Sequence, residues 1–402
     1  MLKNKHNTAK RKHYGEYLLI NIFVFAGIGL LSYVVFNVSI FNQFTAAFKD
    51  FTLTDLYFTR IINQNKIYKG PLVLVNVENK GRAEIAYLIQ KIEECKPRVV
   101  GVDVIFPDKK DSSSDALLKT TLGAYDNLVL PYVAALGNGT KEIRNDPYFG
   151  TKSNSFVNVE GEGRQFSTIR YYYPSYHDQI AFTTAIMQKF DTSKTNYLLK
   201  RSNAKTEIRY YGNLQNFFYQ TFDEVMNPGF DTTLLKDKII LLGYTGSPAS
   251  VNNDIDEDKF FTPLNPRLSG RSFPDMYGPV INANILRMAL DKDYIISFPR
   301  WLNIAVAFLL TLFLLPLFIS WYIYKAVWFH LFTMMLQLLI SILFVFFTIW
   351  LYANENIKIE SSAVLIAILL IGDFLLFYDH FVKFLRHKLK MNFHSIFFNA
   401  SH

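Results

Sequence analysis

The residues of this chain best suited to chemistry are carboxylates that follow apolar runs. Glu78 follows LVLVNV, Asp103 lies within RVVGVDVIF, and Asp108 closes the same stretch. Asp254, Asp256, Glu257 and Asp258 crowd a loop beyond KIILLGYTG. Gathered at one sheet edge, such groups could coordinate a divalent cation, which takes oxygen ligands, or hold a cationic ligand. The same residues also read as helix caps, loop solvation and one buried, hydrogen-bonded Asp103. NDIDEDKF lacks the glycine and closing glutamate of a calcium loop, so no metal is expected. Gly243 and Gly246 frame a Gly-x-x-Gly turn whose N–H groups could cradle a phosphate, or make a plain tight turn. No Lys-Ser or Lys-Thr follows, which excludes a nucleotide loop. The candidate ligand-binding set is therefore Glu78, Asp103, Asp108, Gly243, Gly246, Asp254, Asp256 and Asp258.

Other reactive types are sparse. There is no Gly-x-Ser-x-Gly elbow, and His177 is the only histidine between Tyr14 and His330. A single cysteine, Cys95, excludes an intramolecular disulfide and any zinc-ligand spacing. The chain is expected to be no enzyme and to carry no cofactor.

The elements that must position these residues are legible from periodicity. Arg98–Asp108 is a nearly unbroken β-branched run, the mark of a strand covered on both faces in a parallel sheet. LVLVNVE, NLVLPYVAAL and KIILLGYTG read as further strands. AEIAYLIQKIEEC sets Ile85, Leu88, Ile89 and Ile92 on one helical face. SSSDALLKTTLGAY reads as a helix with a serine or aspartate cap, and IAFTTAIMQKF and MYGPVINANILRMAL as two more. Residues 44–62 have a helical rhythm, residues 137–163 read as loop, and FVNVEGEGRQFSTIRYYYPS reads as an antiparallel hairpin turning at 161–163.

Half of the 402 residues are hydrophobic and only 19% are charged, and the apolar ones concentrate in four blocks. Each can span a hydrocarbon core of about 30 Å at ~1.5 Å per residue. The expected division is 1–16 a basic cytoplasmic end, 17–40 a transmembrane helix, 41–299 an extracytoplasmic domain, then transmembrane helices at 300–324, 327–352 and 361–381, and 382–402 a basic cytoplasmic tail. Lys3, Lys5, Lys10, Arg11 and Lys12 at one end and Lys383, Arg386, Lys388 and Lys390 at the other place both termini inside. The net charge of +8 sits largely in those ends, where it serves topology and lipid contact, so no nucleic-acid partner is expected. Within the last span Asp373 is costly in hydrocarbon and calls for an interhelical contact, with Gln337 or with another protein's span. The alternative is hydration near the inner interface. Phe and Leu alternating with Lys and Arg after residue 382 suggest a tail lying along the inner leaflet.

In order, LVLVNVE, PRVVGVDVIFPD, NLVLPYVA, KIILLGYTG and FFTPL with YGPVINANILRMAL, one span before and three after, resemble the CHASE type-two sensory domain of bacterial membrane receptors. Glu78 and Asn79 stand where that family often has paired aspartates, and its Trp-Pro segment is missing. The resemblance implies an α/β extracytoplasmic domain, a central and mostly parallel sheet flanked by helices, joined to four transmembrane helices. It implies an inner-membrane sensor that detects an extracytoplasmic ligand or protein. With about twenty residues after the last span, the output is expected to come from a separately encoded membrane or cytoplasmic partner. Receptors of this layout also suggest a homodimer. The alternative from another class is a non-catalytic structural or docking subunit of an envelope membrane complex.

Overall fold

The computed structural model describes residues 2–37, 66–135, 141–150, 154–158, 168–201, 203–246, 259–265, 273–324, 328–390 and 395–398. They fall into two units, one of residues 1–49 with 296–402 and the other of residues 50–295. Helix α1, Leu2–Asn37, begins the first.

The second unit is built on parallel strands. β1 (Leu72–Asn76) leads through helix α2 (Arg82–Glu94) to β2 (Val99–Asp103), and helix α3 (Ser112–Ala124) leads to β3 (Leu128–Tyr132). β4 (Asn154–Phe156), β5 (Phe218–Gln220) and β6 (Ile239–Gly243) complete a six-stranded sheet in the order β4-β3-β2-β6-β1-β5, parallel throughout. Every residue of β1, β3 and β6 is buried, which is why these strands read as unbroken apolar runs.

Helix α2 buries Ile85, Leu88, Ile89 and Ile92 against one face, as their spacing predicts. Each such fully buried side chain contributes about 1.5–3 kcal/mol. Asp111 caps α3, its carboxylate accepting from the Ser114 N–H. The other face is covered by helices α4 (Phe182–Phe190) and α5 (Gly278–Asp291).

The expected hairpin is replaced by two separate pairings. Asn154–Phe156 extends the sheet beside β3, whereas Tyr171–Tyr172 pairs antiparallel with Thr206–Glu207. Without Asn154–Phe156 the backbone groups on that side of β3 would lack partners, and this strand supplies them. Asn158 fixes the arrangement, its amide bonding both the N–H and the carbonyl of Ala134. The segment read as loop thus contains a strand. Residues 44–62 and 161–163 lie outside the described residues.

In the first unit, α6 (Arg300–Tyr324), α7 (Phe329–Glu355) and α8 (Ser361–His387) join α1. All four helices are long and apolar enough to cross a membrane. Their contacts use polar glue and small residues. Asn21, fully buried, donates to the Phe308 carbonyl at 2.9 Å and accepts from Thr311 Oγ1 at 2.9 Å. A Cβ added at Gly372 would lie 2.9 Å from Thr333 Cγ2. Just before α6, Ile296–Ser297 pairs in parallel with Ile357–Lys358, between α7 and α8.

Candidate functional site

In a parallel sheet all strands end at one edge, and there this lobe has a cavity of about 710 Å³. Val77 to Lys80 line it after β1, Asp103 to Ile105 from the end of β2, Tyr244 after β6, and Pro279, Ile281 and Asn282 from the start of α5. Phe260 adds an aromatic wall.

Two predicted carboxylates therefore meet. Asp103 accepts from the Asn282 amide, Nδ2 to Oδ2 2.9 Å. Glu78 adopts φ +50°, a left-handed conformation held by its N–H donating to Asn76 Oδ1 at 2.9 Å. Lys80 lies 3.7 Å from the Glu78 carboxylate and 4.5 Å above the Phe222 ring. The cavity is thus an apolar chamber with two acids, one base and two amides at its rim.

Asp108 stands apart. It pairs with Arg82 at 2.8 Å, and the same guanidinium reaches Asp115 at 2.6 Å, bracing α2 against α3. Asp254, Asp256 and Asp258 lie outside the described residues. Among the described residues no group of His, Cys, Asp and Glu is arranged to hold a metal ion.

Gly243 and Gly246 shape the turn. A Cβ at Gly243 would sit 2.5 Å from Pro279 Cγ and 3.2 Å from Asp103 Cβ, so glycine here lets α5 approach the sheet. Gly246 takes φ +102°, and its carbonyl accepts from Asn76 Nδ2 at 2.7 Å. The turn is thereby tied to β1 through a residue the sequence reading passed over. Asn76, 1% exposed, also accepts from the Thr245 N–H at 3.0 Å and donates to the Tyr219 hydroxyl at 3.1 Å. Its signal was an amide closing an otherwise apolar run. Asn282 gave a similar signal, an amide on an apolar helix.

Asp275 anchors the segment that carries Phe260. Its carboxylate accepts from the Thr262 N–H at 2.8 Å and from the Thr262 hydroxyl. Burial raises its carboxyl to about 6, while the hydrogen bonds from Thr262 pull the other way. A folded value above the unfolded one adds stability below pH ~4 that is lost as pH rises through about 6. The loss amounts to about 3 kcal/mol. Unfolding of wild type and Asp275→Asn, compared from pH 4 to pH 7.5, should show the wild type losing ground with rising pH. Parallel curves would contradict this.

His177 sits at φ +43° with its ring against Tyr176, and its N–H donates to Asn203. In the membrane helices Gln337 donates to the Leu369 carbonyl at 3.0 Å rather than to Asp373. Asp373 is exposed on α8, with no polar partner among the described residues. The acid that α8 does bury is Asp379, 1% exposed, accepting from Tyr322 Oη and Lys383 Nζ at 2.7 Å each.

A family model described as the CHASE2 domain matches residues 40–320. No curated protein and no solved structure shows a significant match.

Proposed function

We propose, since the chain belongs to the CHASE2 domain family, that it is a membrane sensor whose lobe faces away from the cytoplasm and binds a small ligand at the carboxyl edge of its sheet. The family is one of sensory rather than catalytic domains. The cavity carries this reading: its apolar walls bury a ligand's body, and Glu78, Asp103 and Asn282 orient its polar end.

The bound state passes to a partner protein through the membrane helices of a bacterial inner membrane, both termini being cytoplasmic. The ladder between Ile296–Ser297 and Ile357–Lys358 supports the relay, because displacing the segment before α6 pulls on the connection into α8.

Cys95 provides the assay. It is 3% exposed, and burial pushes its thiol pKa up, so alkylation reports opening of the lobe. A small-molecule library is screened on the full-length protein for compounds that slow heat-induced alkylation of Cys95. A true ligand is expected to lose this effect in Asp103→Asn. Protection that persists in Asp103→Asn places the ligand elsewhere. Sidedness is read separately from Tyr87→Cys in a Cys95→Ser background, Tyr87 being 52% exposed. An impermeant maleimide should label it in intact cells, and labelling only after lysis refutes the orientation.

A further inference from the structure

We propose that Ser395–Phe398 is a latch, held in the helix bundle by Glu16 of α1 and released when α1 shifts along its axis. The proposal deepens the relay reading and rests on it for its physiological trigger. The tail was expected along the lipid surface, yet this stretch packs into its own bundle. Ser395 is 5% exposed and Phe397 8% exposed. The Ile396 N–H lies 2.9 Å from both oxygens of the Glu16 carboxylate, and the Ser395 hydroxyl donates to one of them. Phe397 sits against the rings of Tyr322 and Tyr378, at centroid distances of 5.6 Å and 6.1 Å. Arg386 covers Phe398 at 4.2 Å.

The two halves of this contact belong to different elements. The aromatic seat stands on α6 and α8, and it is fixed by the Tyr322 hydroxyl donating to Asp379. The carboxylate stands on α1. Hydrogen bonds to a charged acceptor are strong but weaken steeply with distance and angle. An α1 shift of about 1–2 Å, usual for switching helices, would strip them while leaving the seat intact. The Ile396 N–H and Ser395 hydroxyl would then be desolvated without partners, which favours undocking.

The test uses the full-length chain with Cys95→Ser, in open membrane fragments where both faces are accessible. Maleimide labelling is timed at Ser395→Cys and at Ile396→Cys, both of which keep the Phe397 ring and the backbone N–H that meets Glu16. Both are expected to label slowly with Glu16 present and about tenfold or more faster in Glu16→Ala. Glu16→Gln, which keeps one carbonyl acceptor, should fall between. Leu375→Cys, fully buried on α8, should stay unlabelled throughout. Unchanged rates at both reporters in Glu16→Ala overturn the latch. Exposure of Leu375→Cys in the same variant also overturns it, since Glu16 would then hold the bundle rather than the segment. No lobe ligand enters the experiment, so a lobe that senses nothing would leave its result unchanged.

Discussion

Asn76→Ala is expected to lower the stability of the lobe by about 3–5 kcal/mol, because each buried group left without a partner costs about 1–3 kcal/mol. The side chain closes four contacts at the end of β1. It accepts from the N–H groups of Glu78 and Thr245, and it donates to the Gly246 carbonyl and the Tyr219 hydroxyl. Thr245 is 6% exposed, so water reaches its N–H poorly once the acceptor is gone. The damage should be greatest at the cavity. Glu78 holds its left-handed backbone through the Asn76 bond, and the Gly246 turn is tied to β1 by the same residue. Asn76→Asp keeps both acceptor contacts but cannot donate to Gly246, and it adds a charge beside Glu78. It should therefore fall between wild type and alanine. Heat-induced alkylation of Cys95 in the full-length protein measures the effect, and an alanine variant that melts with wild type would show that the amide is dispensable.

The same residue shows how far sequence carries and where it stops. β1, β2, β3 and β6 were legible because burial on both faces leaves runs of Val, Ile and Leu. α2 was legible because Ile85, Leu88, Ile89 and Ile92 share the helical period. The edge strands Asn154–Phe156 and Phe218–Gln220 were not. Each has three residues, and what makes them strands is the open edge beside them rather than their own composition. At the cavity, Glu78 and Asp103 could be found because strand ends converge in a parallel sheet. Asp108, five residues beyond Asp103, was taken by Arg82, a partner twenty-six positions earlier that periodicity cannot reveal. Asn76 and Asn282 read as ordinary turn or helix amides until their partners are known. In α8 Asp373 stands out in sequence, alone in an apolar run, while the acid with buried partners is Asp379. Among helices, facing direction rather than isolation in sequence decides which charge is held.

Arg82→Ala should be the other large loss, read as a fall of roughly 10 °C in the midpoint of Cys95 exposure. The Arg82 side chain is 10% exposed and that of Asp115 3%, with 2.6 Å between Nη1 and Oδ1. The guanidinium also lies 5.2 Å from the Phe149 ring centroid and 5.9 Å from that of Phe106, so its carbon stem and charge both pack. Removing it strands the Asp115 carboxylate, which keeps only the Lys110 N–H at 2.7 Å. It also frees Asp108, but Asp108 is exposed and recovers water. The penalty therefore belongs to the unpaired Asp115 charge rather than to the loss of an attraction. A double-mutant cycle separates the two. Asp115→Asn placed on Arg82→Ala should restore much of the midpoint, because no buried charge is then left over, whereas Asp108→Asn should restore almost none. Arg82→Lys keeps the charge but cannot bridge both acids, and it should lose an intermediate amount. Equal rescue by the two aspartate changes would show that the brace acts through the surface pair. The expected inequality would show that a buried pair fastens α2 to α3.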